Sequence, residues 1–259
     1  MKVGPAQSEF RLAILDPPYG LNAGNEEWDK VAYSSNELKL LVKNLCRINK
    51  RSGFTLISFC AATQISGFLD VLKESNSTGW TVHYTHGVWH KLNPFNNPSY
   101  QLNCAAEFLV FAWFCKKGKG AGTLKSMFHF KESESRANVF SMDGVKSKWM
   151  ALDEDDTTVA VNVCQKPIRL LRLFIEYFTE TDEVVLDLCS GTASTAVACV
   201  LSNRNCVSVE SNAFQTKKAR ARLSKLQDKV REWTDENESL EDEYNTFFEM
   251  GRGEFASGS

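Results

Sequence analysis

Val184-Val185-Leu186-Asp187-Leu188-Cys189-Ser190-Gly191-Thr192-Ala193-Ser194-Thr195 is the stretch on which the reading of this chain turns. A β-branched apolar run ends in an acid, passes through small residues and enters the helix-forming Ala196-Val197-Ala198-Cys199-Val200-Leu201. The pattern predicts a strand, a tight loop and a helix. The next apolar run, Asn205-Cys206-Val207-Ser208-Val209-Glu210, predicts a second strand with an acid at its tip, about 20 residues after the loop, the placement that grips ribose hydroxyls. Small residues let backbone amides approach a ligand closely. A dinucleotide site would need G-x-G-x-x-G, and only Gly191 stands here, so a nucleoside ligand without phosphates fits better. S-adenosylmethionine is such a ligand. The plainer alternative for Asp187 is a helix N-cap.

Working outward, a second informative segment lies near the start. Leu12-Ala13-Ile14-Leu15 reads as a short buried strand that opens into Asp16-Pro17-Pro18-Tyr19. Two prolines remove two backbone donors and fix two φ angles, so the loop neither continues a ladder nor starts a helix at once. It presents a carboxylate, carbonyls and an aromatic face. Such a loop accepts hydrogen bonds from an exocyclic amino group while a planar base stacks on the ring. The alternative is a plain strand exit with Asp16 capping and Tyr19 packing.

Taken together, the chain resembles the amino-methyltransferases that methylate adenine N6 or cytosine N4 in DNA, in their beta motif order. Asp16-Pro17-Pro18-Tyr19-Gly20 with Trp28-Asp29 is similar to that family's D-P-P-Y…W-D. Val88-Trp89-His90-Lys91-Leu92-Asn93-Pro94, with Glu107 and Phe108-Leu109-Val110-Phe111, resembles W-x-K-x-N-P…E-x-x-x-x-F. Gln165-Lys166-Pro167 and Leu170-Leu171 resemble Q-K-P-x-x-L-L, and Arg220 with Arg222-Leu223 resembles the closing A-x-x-R-L. The family's D-P-F-x-G-x-G-T loop becomes Asp187 to Ser194, without the Phe and with Ala193 in place of the later Gly. An alanine there costs little if its φ is negative and much if it is positive.

The resemblance implies a Rossmann-like class I methyltransferase fold with circularly permuted motif order. It implies methyl transfer from S-adenosylmethionine to adenine N6 in DNA, with cytosine N4 in DNA and adenine N6 in RNA as alternatives. A retired, binding-only subunit of a complex is the alternative of another class. Asp16, Pro17, Pro18 and Tyr19 would form the catalytic loop. Asp16, Gln165, Lys166, Pro167, Asp187, Cys189, Ser190, Gly191, Ser194, Thr195 and Glu210 would surround the cofactor. Trp28, Lys91 and Asn93 would face nucleic acid, as would Lys116, Lys117 and Lys119, a cationic, glycine-flexible run whose plainer reading is a solvated loop. The target base would be flipped from the stack to reach Tyr19. A homodimer or a partner subunit is compatible with the family.

Composition sets the frame. The chain has 259 residues, 43% hydrophobic, enough for one substantial α/β core. No apolar run is long enough to span a membrane and the N-terminus lacks an apolar signal core, so an intracellular protein, in cytoplasm or nucleus, is expected. Eight cysteines without a C-x-x-C pair predict reduced, buried thiols and no metal centre. A net charge of −2 argues against nonspecific coating of nucleic acid. Apolar spacing predicts helices over 37–48, 65–73, 166–178, 195–202 and from 213 onward, alternating with strands over 12–15, 54–59, 80–89, 106–114, 183–187 and 206–210. Alternation implies a mostly parallel sheet with helices on both faces. Residues 1–223 are expected to form one domain carrying an irregular target-recognition insertion at about 116–160. A charged helical extension over 224–250 and a disordered tail over 251–259 complete the expectation.

Overall fold

The computed structural model describes residues 9–20, 30–76, 79–94, 102–131, 136–144, 150–152, 158–160 and 164–236. Its centre is a seven-stranded sheet in the order β5-β3-β4-β2-β1-β8-β9. The strands are β1 (Leu12–Leu15), β2 (Gly53–Cys60), β3 (Trp80–Lys91), β4 (Ala106–Lys116), β5 (Val139–Met142), β8 (Val184–Asp187) and β9 (Asn205–Ser208). β6 (Met150–Leu152) and β7 (Thr158–Ala160) form a separate antiparallel pair. Only β4 runs against the rest of the main sheet, pairing antiparallel with β2 and β3. The expected mostly parallel sheet is therefore what forms.

Both faces are covered, and the strand pleat divides the core. Ala13 and Leu15 of β1 pack with Phe54, Leu56 and Leu186 beneath α1 (Ser35–Ile48) and α2 (Ile65–Ser75). Leu12 and Ile14 pack with Ile57, Phe59 and Val185 on the other face, beneath α4 (Ile168–Phe178) and α5 (Ser194–Leu201). Burial on both sides is why β1 and β2 read as continuous apolar runs. The helix starts follow local chemistry. At α1 the Ser34 side chain accepts from the Glu37 amide while the Glu37 carboxylate accepts from the Ser34 amide at 2.8 Å, a closed capping box.

Two boundaries differ from the sequence expectation, for identifiable reasons. α4 starts at Ile168, after Pro167 at φ −61° and ψ 132°, so Gln165 and Lys166 lie in extended chain ahead of it. β9 ends at Ser208, which leaves Glu210 in the following loop, where its carboxylate accepts from backbone amides instead of extending the ladder. The 116–160 segment is more regular than its composition suggests. It contains α3 (Gly120–Lys125), and its strand β5 adds to the sheet edge beside Val88–Lys91. β5 approaches closely at Gly87, where a Cβ would lie 2.9 Å from the Asn138 carbonyl oxygen. The last helix among the described residues, α6, runs Ala213–Glu236. All eight cysteines are free; Cys60, Cys115 and Cys199 are buried as expected, but Cys104 is exposed.

Phe54 anchors the face beneath α1 and α2. It stacks on Phe114 at 4.5 Å between centroids and meets Phe10 and Trp80 edge-on. Phe54→Ala should lower stability by about 3–5 kcal/mol through the cavity it leaves, read as a shifted midpoint in urea. Phe214→Ala, at a half-exposed site, should move that midpoint far less.

Candidate active site

The sheet changes direction of travel at its middle. From β1 the chain moves one way to β2, while β8 and β9 lie on the other side of β1. β1 pairs parallel with both neighbours, with Ile14 opposite Asp187, so their carboxyl ends open side by side. Such a reversal leaves a crevice above the strand ends where ligands settle. Asp16 and Asp187 both sit at its mouth. A cavity there is lined by Asp16, Gln165, Lys166 and Asp187, by the loop residues Cys189, Ser190, Gly191, Ser194 and Thr195, and by the apolar Ile14, Phe59 and Leu171.

Charge is concentrated on the β1 side. Lys166 Nζ donates to Asp16 Oδ2 at 2.7 Å and to the Cys164 carbonyl at 3.3 Å. Its ammonium also lies 3.6 Å from Glu107 Oε2, and Glu107 Oε1 meets Lys91 Nζ at 2.6 Å. The Tyr19 hydroxyl reaches Asp16 Oδ1 at 3.1 Å and Glu107 Oε2 at 3.4 Å. Burial pushes the Asp16 carboxyl above the ordinary carboxylate value, partly offset by Lys166. Burial acts the same way on Glu107, but Lys166 and Lys91 reverse it and hold that carboxyl below the ordinary value. Burial, then the carboxylates of Asp16 and Glu107, raise the Tyr19 hydroxyl well above its usual range, so it remains a neutral donor. The loop itself is clamped: the Pro18 carbonyl accepts from the Tyr33 amide at 3.0 Å and from Gln64 Nε2 at 3.4 Å. The turn closes at Gly20, whose φ of +72° and close approach to Ala32 suit only glycine.

The other wall is the loop after β8. Asp187 accepts from the Cys189 amide at 3.2 Å. Burial lifts its carboxyl to about 6, with Thr195 and the Cys189 amide opposing and Asp16 and Glu210 adding to the rise. The Gly191 amide donates to Glu210 Oε2 at 2.7 Å, which ties the loop to the chain after β9. Gly191 has a positive φ of 49°, and so does Ala193 at 65°. The alanine therefore occupies the unfavourable case set out from the sequence, a left-handed conformation that costs an L-residue about 1–2 kcal/mol.

The structure thus gathers most of the sequence-predicted residues around one crevice: Asp16, Tyr19, Gln165, Lys166, Asp187, Cys189, Ser190, Gly191, Ser194 and Thr195. Pro17 is buried beneath the loop, and Pro167 sets the start of α4. Glu210 reaches the crevice through the Gly191 amide. Trp28 lies outside the described residues. The basic run lies apart from the crevice. β4 carries Glu107 at its crevice end and Lys116 at the other, opposite Trp80 at the start of β3, so Lys116, Lys117 and Lys119 lie roughly 30 Å along the strand from Glu107. Lys116 is also engaged there, donating to the Lys50 carbonyl at 3.1 Å beside the Trp80 ring. Lys91 is paired with Glu107, and Asn93 exchanges two hydrogen bonds with the Gly144 backbone. Sequence reasoning gave Glu107 no role beyond a motif position; only the antiparallel return of β4 brings it to Asp16, 91 residues earlier in the chain.

Known proteins resemble this chain in sequence and in fold. The type II methyltransferase M.HinfI of Haemophilus influenzae is 27% identical over 247 residues, covering 87% of this chain and 66% of that relative, just under two thirds of its length. Among solved structures, the M1.HpyAVI–SAM complex superposes with a TM-score of 0.59 at 21% identity, over 83% of this chain and 89% of that one. The cytosine-N4-specific PvuII DNA methyltransferase superposes with a TM-score of 0.56 at 15% identity, over 83% and 79% of the two chains. These structural likenesses bear on the fold. A family model described as DNA methylase, of the N6/N4 methyltransferase type, matches residues 10–221, and the chain belongs to that family.

Proposed function

We propose that this protein transfers a methyl group from S-adenosylmethionine to adenine N6 in DNA. The observation that carries the reading is the crevice in which the Asp16–Tyr19 loop faces the loop from Asp187 to Thr195 across two adjacent parallel strands. Family membership supplies the reaction class. The Asp that opens the catalytic tetrapeptide favours adenine, since cytosine N4 relatives of this motif order more often carry Ser.

In this reading the cofactor lies along Asp187, Gly191, Ser194 and Thr195, with Glu210 near the ribose and Gln165 and Lys166 at the methionine end. An exocyclic nitrogen is a weak nucleophile because its lone pair is delocalised into the ring. Asp16 and the Pro17 carbonyl accept its hydrogens, which favours a pyramidal nitrogen aimed at the sulfonium methyl. The N–C bond forms as the C–S bond breaks. S-adenosylmethionine, when bound, would supply the electrophilic methyl and leave as a neutral thioether, while Asp16 takes up the proton that the nitrogen releases. Orientation and preorganised charge supply the rate enhancement. A flipped base stacking on Tyr19 gains about 1–3 kcal/mol.

Residues 1–223 serve in this proposal as the catalytic domain, with 224–250 as an appended extension. Target recognition falls to the insertion at about 116–160, whose strand β5 lies beside Trp89 and Lys91 at the crevice end. DNA is the partner, and a homodimer or a partner subunit is compatible with this reading. The alternative of a retired binding subunit finds no support in the intact Asp16–Lys166–Tyr19 arrangement.

Asp16→Ala should lower kcat by about a hundredfold or more, the scale of losing one preorganised transition-state contact. Digesting treated DNA and RNA to nucleosides and weighing the methylated species decides the target. N4-methylcytosine, or methylation of RNA alone, would replace the adenine-in-DNA assignment. Absence of transfer together with absence of cofactor binding in calorimetry would favour the retired subunit.

A pH dependence follows from Asp187. Its folded carboxyl titrates near 6, above the ordinary value, so this group stabilises the ligand-free fold while protonated and loses that contribution as pH rises through about 4 to 6. A cationic cofactor prefers the ionised form. Affinity for S-adenosylmethionine should therefore rise roughly tenfold between pH 5 and 7, and Asp187→Asn should flatten that rise. A pH-independent affinity in the unmodified protein would count against Asp187 as the cofactor's acid.

A further inference from the structure

The cavity wall passes into α5 through Thr192-Ala193-Ser194, and one distant side chain holds both ends of that tripeptide. Arg222, buried on α6, donates through Nη1 to the Thr192 carbonyl at 3.0 Å and to Ser194 Oγ at 3.4 Å. Between the two contacts lies Ala193, in its left-handed conformation and 1% exposed. The Ala193 methyl is packed among Ala196 of α5 and Ala219 of α6, one helical turn before Arg222. The kink also sets the Ala193 amide on the Ser190 carbonyl at 2.7 Å, and the Ala193 carbonyl accepts the first α5 hydrogen bond from the Val197 amide.

We infer that Arg222 is a positioning residue for the cofactor loop, holding the left-handed kink at Ala193 that aims Ser190, Gly191 and Ser194 into the cavity. The inference rests on the S-adenosylmethionine reading of that cavity. Its physics is local. An alanine released from this conformation returns to negative φ, which rotates the peptide plane before it and carries the Thr192 carbonyl away from α6. A guanidinium bonded to that carbonyl therefore favours the kinked state alone, and a charge-assisted bond in a buried site is among the stronger devices for doing so. Ala193 and Ala219 share one buried apolar cluster with Ala196, which packs α6 against the start of α5. α6 thus enters the site without touching the ligand.

The test couples two substitutions. Arg222→Met should raise KM for S-adenosylmethionine about tenfold with kcat within about twofold, because the loop must be ordered anew at each binding event. Amide exchange at Ala193 and Val197 in the ligand-free protein should quicken about tenfold as well. Adding Ala193→Gly to Arg222→Met should return both quantities to within about threefold of the parent, since glycine adopts the kink without a clamp. A residue that merely packs α6 against α5 would not be rescued at Ala193, so a double variant no better than Arg222→Met overturns the inference. Unchanged exchange in Arg222→Met overturns it too. Should Arg222→Met fail to fold, recovery of soluble protein on adding Ala193→Gly supports the clamp, and continued failure overturns it. If the parent protein binds no S-adenosylmethionine, the functional reading fails, while exchange in the ligand-free chain still decides the role of Arg222.

Discussion

The pairing of Lys166 with Asp16 is the interaction around which the crevice is organised. Lys166 is buried and Asp16 is partly so, and the desolvation cost each carries is offset only by close, well-satisfied geometry. Asp16 leaves the end of the first strand, and Lys166 precedes the helix that covers that strand, so the pair joins segments 150 residues apart. Glu107 and Tyr19 complete the set, giving Lys166 a second carboxylate and Asp16 a neutral donor. The Asp16–Tyr19 loop is thereby held by Lys166 and Glu107, which come from two other parts of the chain. Removing one member of such a network leaves the others uncompensated, which is why these residues function as a unit.

Sheet topology explains why that unit faces the loop after β8 at all. β1 is central and pairs in parallel with strands reached in opposite directions of travel. The carboxyl ends of β1 and β8 therefore diverge above the sheet, and the loops leaving them line one crevice. The family's permuted order matters little to this geometry. The Asp16–Tyr19 segment near the start of the chain and the Asp187–Thr195 segment near its end become neighbours because their strands do. α6 closes the arrangement from outside, with Arg222 behind the loop and Ala219 against α5.

Much of the fold was legible in the sequence. Apolar runs at β1, β2 and β4 announced strands buried on both faces, and the spacing of Leu38, Val42 and Leu45 announced α1. The misses have local physical causes. Pro167 shortened α4 because it fixes an extended entry, and Glu210 left its strand because its carboxylate finds backbone amides to accept from. β5 was hidden in a segment rich in glycine and charge because a short edge strand needs only one partner and little apolar surface.

The sequence by itself determined which chemistry is present: an acid, two prolines and a tyrosine at a strand end, and a loop of small residues after another. Those properties are local, written in side-chain type and backbone restriction. Tertiary structure alone decided which charges meet. The antiparallel return of β4 carried Glu107 to the crevice and Lys116 to the far end of the same strand, a choice that composition cannot encode because it depends on strand direction. It also gave Ala193 its left-handed backbone and set Arg222 against it, since the conformation of a short loop is fixed by what packs on both sides.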